Sequence, residues 1–166
     1  MIECVTLFDK KKLVPASAIY FRPAVYGVVV HNGKVLVIKM KSTGKYMFPG
    51  GGIEEDDIED ALRREMREEA GIEIDILHII HFHENYFYYD PLDEAFNSYL
   101  YFYLCLPKTL SLAKPHEVDD LEAEDPQWIS QDILSDQTIQ GPEIGIHKIV
   151  KAMDLSKYET NKNSSS

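Results

Sequence analysis

Two runs of mostly β-branched and aliphatic residues flank a polar turn near the start of the chain. The runs occupy residues 25–30 and 35–40, and the sequence His-Asn-Gly-Lys separates them at residues 31–34. An Asn-Gly step between two such runs is typical of a tight hairpin turn. The pattern therefore predicts a β-hairpin over residues 25–40.

The spacing of apolar residues becomes helical further along the chain. Residues 58–70 place their apolar side chains three and four positions apart, which predicts an α-helix. Asp56 or Asp57 can cap its N-terminus, and Gly71 stands where a left-handed C-terminal cap belongs. The glycine-rich segment before this helix, residues 41–57, is predicted to be a loop.

The rest of the chain alternates strand-like and turn-like segments. Strands are predicted at residues 72–76, 77–89, 99–106 and 127–129, a turn at 90–94, a brief helix at 133–134 and a final helix that opens at Gly141-Pro142. On that last helix Ile146, Ile149, Val150 and Met153 share one face. This mixture predicts an α/β or α+β domain, in which helices pack on a mixed sheet.

The chain length bounds the number of domains. A chain of 166 residues fits one domain, predicted here to cover residues 1–156. Residues 157–166 are polar and end in a serine run, which predicts a disordered tail.

The charge of the chain narrows the class of ligand. Acidic residues outnumber basic ones by 28 to 17, and the net charge is -11. This excess disfavours binding to nucleic acid polymers and to anionic membranes. If the ligand is nevertheless an anion, its site needs a local positive charge to offset the negative potential of the protein, and a divalent cation is the obvious source.

Other sequence features indicate a cytoplasmic protein. Cys4 and Cys105 lie far apart and suggest two buried apolar residues, not a disulfide framework or a metal knuckle. The longest apolar run, residues 99–106, is much shorter than the roughly 20 residues that span a bilayer. The first residues carry an early acid and lack the apolar stretch of a secretory signal.

The helix at residues 58–70 carries an unusual arrangement of acids. With consecutive residues turned by about 100°, Glu68 and Glu69 lie about 60° and 40° to either side of Glu65. The three carboxylates therefore share one face, and they continue the apolar stripe of the helix instead of opposing it. Arg63 and Arg67 occupy the far side.

Such a cluster needs a compensating charge. The C-terminal turn of a helix disfavours anions, and like charges three and four residues apart repel one another. A divalent cation with oxygen ligands removes the conflict. The alternative is an ordinary helix with surface ion pairs, such as Glu59–Arg63, Asp60–Arg64 and Arg64–Glu68. The glycines at residues 50–52 favour the first interpretation, because they let backbone approach a ligand or metal closely.

Residues 50–72 resemble the Nudix box, the signature of the Nudix hydrolase superfamily. That box reads Gly, five residues, Glu, seven residues, then Arg-Glu-apolar-x-Glu-Glu-x-Gly-apolar. Its second half is matched by Arg64, Glu65, Met66, Glu68, Glu69, Gly71 and Ile72. In the first half Gly50 fits, and Asp56 stands where glutamate is usual.

The resemblance implies a fold, an activity and a set of site residues. The implied fold is a Nudix-like α/β/α sandwich with a mixed β-sheet. The implied activity is hydrolysis of a nucleoside diphosphate linked to another moiety, with Mg²⁺ or Mn²⁺. The catalytic candidates are Arg64, Glu65 and Glu68, and the metal candidates are Glu65, Glu68, Glu69, a carbonyl of Gly50 or Gly51, and Glu122.

Two of these assignments have alternatives. Glu65 is either a metal ligand or the general base. Glu122 lies six residues before Trp128, where many family members carry a further acid near the metals. It is otherwise a solvated acid of a loop that also holds Glu117, Asp119, Asp120 and Glu124.

The substrate-binding candidates are Arg22, Lys39 and Tyr86. The two basic residues could meet substrate phosphate or be solvated near strand ends. The aromatic run at residues 86–89 could stack a nucleobase or fill the core. His81 and His83 share a strand face, but no third residue is spaced to complete a zinc site with them, which predicts a structural or substrate-contact role.

The sequence leaves alternatives of function open. The partner is expected to be a small nucleotide, and the main hypothesis is a metal-dependent pyrophosphohydrolase. One alternative is a sanitising hydrolase of modified nucleoside triphosphates, and another is a non-catalytic nucleotide sensor. A homodimer is left open.

Overall fold

The computed structural model describes residues 1–118, 120 and 122–159. It contains two α-helices, α1 (Ile58–Ala70) and α2 (Ile146–Ala152). The strands are β1 (Ile2–Thr6), β2 (Lys11–Val14), β3 (Ile19–His31), β4 (Lys34–Met40), β5 (Tyr46–Met47), β6 (Gly50–Gly52), β7 (Ile74–Tyr89), β8 (Glu94–Pro107) and β9 (Ala123–Ser130).

The predicted hairpin is confirmed. β3 and β4 pair antiparallel through Val30 with Val35 and His31 with Lys34. Asn32 and Gly33 both have positive φ, 48° and 75°, which is the conformation that this turn requires. The first strand is longer than predicted, because β3 starts at Ile19.

The strands form one mixed sheet. Its order is β2-β1-β7-β8-β3-β4-β5, while β6 pairs with β3 and β9 pairs with β4. β3 runs parallel to β8 and β1 runs parallel to β7, whereas β7 and β8 form a long antiparallel pair. The predicted mixed sheet is therefore confirmed.

The two helices cover opposite faces of this sheet. Successive residues of β3 point to opposite sides, so Val25 and Val29 join the core under α1. Val28 and Val30 join the other core, which contains Ile146 and Val150 at α2. The result is the predicted α/β/α sandwich.

The helix that carries the acids has the predicted bounds, Ile58–Ala70. Gly71 caps it with φ 74°, and its N–H donates to the carbonyls of Arg67 and Met66. Asp57 is the N-cap residue, but its side chain makes no capping hydrogen bond.

Several other predictions are corrected. The strands expected at residues 72–76 and 77–89 are one bulged strand, β7. The final helix does not open at Gly141-Pro142: a 3-10 helix at Pro142–Ile144 comes first, and Gly145 with φ 79° separates it from α2. The brief helix near residue 133 is the 3-10 helix Gln131–Ile133.

The sequence analysis missed the N-terminal strands. Only Val14 of β2 is buried, so this edge strand lacks the alternation that identifies a half-buried strand. At the other end, Lys157 and Tyr158, which fall in the predicted tail, lie in the 3-10 helix Leu155–Tyr158. Residues 160–166 of the predicted tail lie outside the described residues.

Two smaller predictions concern the cysteines and the membrane. Cys4 and Cys105 are both free and fully buried, as expected of small apolar residues. None of the helices in the described part of the chain has the length and apolar character that crossing a membrane requires.

The cap of α1 is the fold's most testable local feature. A Cβ at Gly71 would lie 2.9 Å from the Cβ of Ala113 and 3.0 Å from its N, in addition to the strain of a left-handed φ. We expect Gly71→Ala to cost more than the about 1–2 kcal/mol of an ordinary left-handed alanine. Urea unfolding measures this free energy.

Gly44→Ala is the matched control for that substitution. Gly44 has φ 71°, and a Cβ there would meet no atom within 4 Å, so the control carries the backbone strain alone. Equal losses of stability in the two variants would contradict a packing role for Gly71.

Candidate active site

A cavity of about 710 Å³ opens beside the N-terminal half of β3. Its polar wall carries carboxylates from α1, from the segment after β6, from the segment before β9 and from the 3-10 helix Pro142–Ile144. Its apolar wall comes largely from β3, β4, β7 and β8. The acidic residues that line it are Glu54, Glu65, Glu69, Asp120, Glu122 and Glu143.

The glycines of β6 bring α1 to the sheet. A Cβ at Gly50 would lie 2.1 Å from the carbonyl oxygen of Val25. A Cβ at Gly51 would lie 2.7 Å from the carboxyl group of Glu65. Neither position has room for a side chain, so glycine here lets the acidic face of the helix lie directly against the strand.

Glu69 is the most deeply buried of these acids, with 4% of its surface exposed. Its Oε2 accepts a hydrogen bond of 3.0 Å from the N–H of Gly50. Burial raises the pKa of Glu69 well above its usual value; the Gly50 hydrogen bond lowers it, and nearby Asp120 and Glu65 raise it further. The site therefore holds a carboxylate whose negative charge is poorly compensated.

Glu65 lies one turn earlier and is 8% exposed. Its Oε1 is 3.1 Å from Nη1 of Arg64. Burial raises the pKa of Glu65; the Arg64 charge opposes this shift, and Glu68 adds to it. Two neighbouring carboxyl groups on α1 are thus both less acidic than in water.

Arg64 organises the edge of the cluster. Its Nε donates to Oδ2 of Asp56 at 2.9 Å, and its Nη2 donates to the carbonyl of Gly52 at 3.4 Å. Asp56, which replaces the usual glutamate of the box, therefore holds the arginine instead of capping the helix. Arg64 in turn fixes the carboxylate of Glu65.

Glu68 lies apart from the two buried acids. Its side chain is 51% exposed, and its Oε2 is 3.7 Å from Nη1 of Arg64. It is absent from the residues that line the cavity within the described chain. The structure therefore connects Glu68 to the cluster through Arg64.

Asp120 is a site residue that the sequence analysis did not select. It lines the cavity, and its charge contributes to the raised pKa of both Glu65 and Glu69. Its Oδ1 accepts hydrogen bonds of 2.8 Å from the N–H groups of Glu122 and Ala123. The only sequence signal was its place among several acids in one loop, which does not distinguish it from its neighbours.

Glu122 lines the cavity, but its oxygens already have partners. Oε1 accepts a 2.7 Å bond from the N–H of Ser42, and Oε2 accepts bonds of 2.9 Å from the Ser42 hydroxyl and 2.8 Å from Tyr89. This arrangement ties the loop after β4 and the end of β7 to the acidic segment. It gives Glu122 a positioning role; its predicted role as a metal ligand stays a prediction.

The three predicted substrate contacts have different outcomes. Arg22 lines the cavity. Lys39 does not, and its Nζ is 4.0 Å from Asp125. Tyr86 packs instead against the cluster around Cys4, because side chains alternate along β7 and the cavity face carries Phe87.

Two of the three histidines of β7, His81 and His83, make a structural contact. The rings of His81 and His83 stack with their centroids 6.2 Å apart. Nε2 of His81 lies 2.8 Å from the carbonyl oxygen of Ile144. This contact links β7 to the 3-10 helix that precedes α2.

The donor atoms of the site fit a hard divalent cation. They are carboxylate oxygens, held close together in a partly buried position where a positive charge would relieve their repulsion. Over residues 1–118, 120 and 122–159, no three acidic, histidine or cysteine side chains form a ready-made metal cage. The fit therefore rests on donor chemistry and crowding, because the charges of Glu65 and Asp120 both act on the buried Glu69.

Comparison with known proteins gives a family match. A model of the NUDIX domain matches residues 21–145. Nudix hydrolase 2 of Arabidopsis thaliana is 28% identical over 141 residues, which are 81% of this chain and 46% of the relative. The chain thus spans about half the length of the curated relative that it matches.

Solved structures share the fold. A MutT NUDIX hydrolase from Burkholderia pseudomallei superposes with a TM-score of 0.60 at 22% identity, over 76% of this chain and 95% of that one. An ADP-ribose pyrophosphatase from Streptococcus suis 89-1591 superposes with a TM-score of 0.59 at 15% identity, over 84% and 93% of the two chains.

Crowding of the buried acids has a measurable consequence for stability. In chelator at pH 7 we expect Glu69→Gln to raise the free energy of unfolding by about 1 kcal/mol, because burial raises the pKa of Glu69, so its ionisation at this pH favours the unfolded chain, and glutamine removes that penalty. Glutamine still accepts the Gly50 hydrogen bond. Chemical denaturation measures the difference.

Glu68→Gln is the control, since it removes the same charge from an exposed position on the same helix. It should change stability by less than about 0.5 kcal/mol. A Glu69→Gln variant that is less stable than the parent in chelator would contradict the crowding.

Proposed function

The chain belongs to the NUDIX domain family, and from this premise we propose that it is a hydrolase that uses Mg²⁺ or Mn²⁺. Its proposed substrate is a nucleoside diphosphate linked to another moiety, and the bond cleaved is the pyrophosphate bond. One observation carries the proposal: Glu65 and Glu69 are buried together against a glycine strand, in the wall of a large cavity.

Glu65, Glu69 and Asp120 are the proposed ligands of the cation. Glu68 completes the set from the solvent side, since it shares Nη1 of Arg64 with Glu65. When bound, the cation supplies positive charge that neutralises the phosphate oxygens and favours attack by water. The Gly50 carbonyl stays a further candidate.

The remaining roles belong to side chains around this cluster. Arg64 fixes the orientation of Glu65. In the alternative in which Glu65 is the general base and not a ligand, this orientation lets its carboxylate accept a proton from an attacking water. Arg22 lines the cavity near Gly52, and a Cβ there would be 3.6 Å from its Nη2. No acidic partner lies within 4.0 Å of Arg22 among the described residues, so its charge is available to a phosphate oxygen.

The charge of the cavity favours a diphosphate esterified at both ends over a triphosphate. Six carboxylates line the cavity, and among its described lining residues Arg22 is the only basic one. A triphosphate carries about twice the negative charge of such a diester and needs more cationic partners. This observation ranks the diester above the modified nucleoside triphosphates.

The non-catalytic sensor is the less favoured alternative. A sensor has no need for Arg64 and the acids Glu65, Glu68 and Glu69, all of which this chain keeps. The side chains of Glu65 and Glu69 are buried and form part of the cavity wall.

A substrate panel tests the proposed reaction. With Mg²⁺ we expect turnover of nucleoside diphosphate diesters into two monophosphates, less turnover of nucleoside triphosphates, and none in chelator. Mass spectrometry of the products locates the cleaved bond. Binding without turnover under Mg²⁺ and Mn²⁺ would contradict the enzymatic proposal and favour a sensor.

Variants of α1 connect that turnover to the cluster. Glu69→Gln and Glu68→Gln should each lower kcat on the order of 100-fold or more without unfolding the protein. Glu59→Gln, in the exposed first turn of the same helix, should keep parental activity. Parental activity in both cluster variants would refute the assignment.

A further inference from the structure

Two phenylalanines form an aromatic surface on the cavity side of the sheet. Phe87 of β7 and Phe96 of β8 are direct partners in the antiparallel register, so their side chains lie on the same face. Both are half-buried and both line the cavity. Leu92, in the turn that joins the two strands, is 57% exposed and lines the cavity beside them.

Arg22 connects this surface to the acidic cluster. Its guanidinium lies over the Phe96 ring, 5.8 Å from the centroid. The same side chain lies next to Gly52 of β6. The Arg22 guanidinium therefore borders both the glycine strand, where the phosphates are proposed to bind, and the aromatic surface.

The strand order and register place these features on a diagonal line across the sheet. From β6 the sheet continues through β3 and β8 to β7, a lateral separation of about 14 Å for three strand spacings. The phenylalanine pair also lies four residues along β8 from Leu100, the partner of Ala24 and so of the Gly52 row. Along this line lie first Gly52, then Arg22, and then the phenylalanine pair. A phosphate, a pentose and a flat ring occur in the same order in a nucleotide.

The hairpin formed by β1 and β2, which pair antiparallel, closes the far end of the line. β1 pairs with β7 at Val5 and Phe87. Leu7, which follows β1, is held by a 3.1 Å hydrogen bond from its N–H to Asp90 and by one of 2.8 Å from Nε2 of Gln140 to its carbonyl. Leu7 also lines the cavity, so the hairpin ends the aromatic surface with an apolar wall.

We propose that Phe87 and Phe96 form the subsite for a flat, ring-bearing terminal group of the substrate, such as a nucleobase. This inference rests on the proposed function, since it assigns the uncharged end of the same substrate. Aromatic stacking is worth about 1–3 kcal/mol per base. The apolar surroundings favour a ring over a charged or heavily hydroxylated group.

The test compares two probes in isothermal titration calorimetry, with Ca²⁺ in place of Mg²⁺. P1,P2-diadenosine diphosphate carries a ring at both ends, and inorganic pyrophosphate carries none. Phe96→Leu and Phe87→Leu should each weaken binding of the dinucleotide about tenfold. Binding of pyrophosphate should stay within twofold of the parent.

Tyr86→Leu is the matched control, because Tyr86 precedes Phe87 on the same strand and packs on the opposite face. It should leave the affinity for both probes within twofold. Equal losses for both probes in the phenylalanine variants, or no loss for either, would overturn the subsite.

The same experiment separates this inference from the proposed reaction. A parent protein that binds the dinucleotide through the two phenylalanines but does not hydrolyse it with Mg²⁺ would contradict the reaction and keep the subsite. If the parent hydrolyses the dinucleotide with Mg²⁺ and both phenylalanine variants bind it with unchanged affinity, the result would support the reaction and contradict the subsite. A parent that binds neither probe would overturn both.

Discussion

The burial of Glu65 and Glu69 against a strand of glycines is the constraint on which the rest of the site depends. Carboxylates at 8% and 4% exposure lose most of their hydration. Arg64 compensates one of them, and the N–H of Gly50 compensates part of the other. The remaining negative charge is stable only with a proton or a cation nearby.

The fold explains why these acids cannot move away. α1 packs on Val25 and Val29 of β3 through its apolar stripe, and the glycines of β6 pair with the same strand. The stripe continues into the acids, so the packing that stabilises the helix also buries the carboxylates. Arg64, anchored by Asp56 and Gly52, fixes the open side of the cluster.

Sequence reasoning was most successful where one local pattern decided the outcome. The Asn32-Gly33 turn, the bounds of α1 and the Gly71 cap depend on neighbouring residues alone. Asp120 and Phe96 were missed because distant elements bring them to the cavity. Tyr86 was chosen in place of Phe87 because the face of a strand that meets a cavity depends on its partners. Glu122 is a residue type that commonly binds metal ions. Only the structure shows that its carboxylate oxygens accept hydrogen bonds from Ser42 and Tyr89.

The most direct measurement is a crystal structure of the protein soaked with Mn²⁺ and a methylene-bridged diphosphate diester. Anomalous scattering then locates the cation independently of the ligand. We expect a Mn²⁺ ion about 2 Å from carboxylate oxygens of Glu65 or Glu69, with the bridged phosphates against it. Mn²⁺ found only on exposed acids outside the cavity, such as Glu55 and Glu59, with the diester absent from the cavity, would contradict the account.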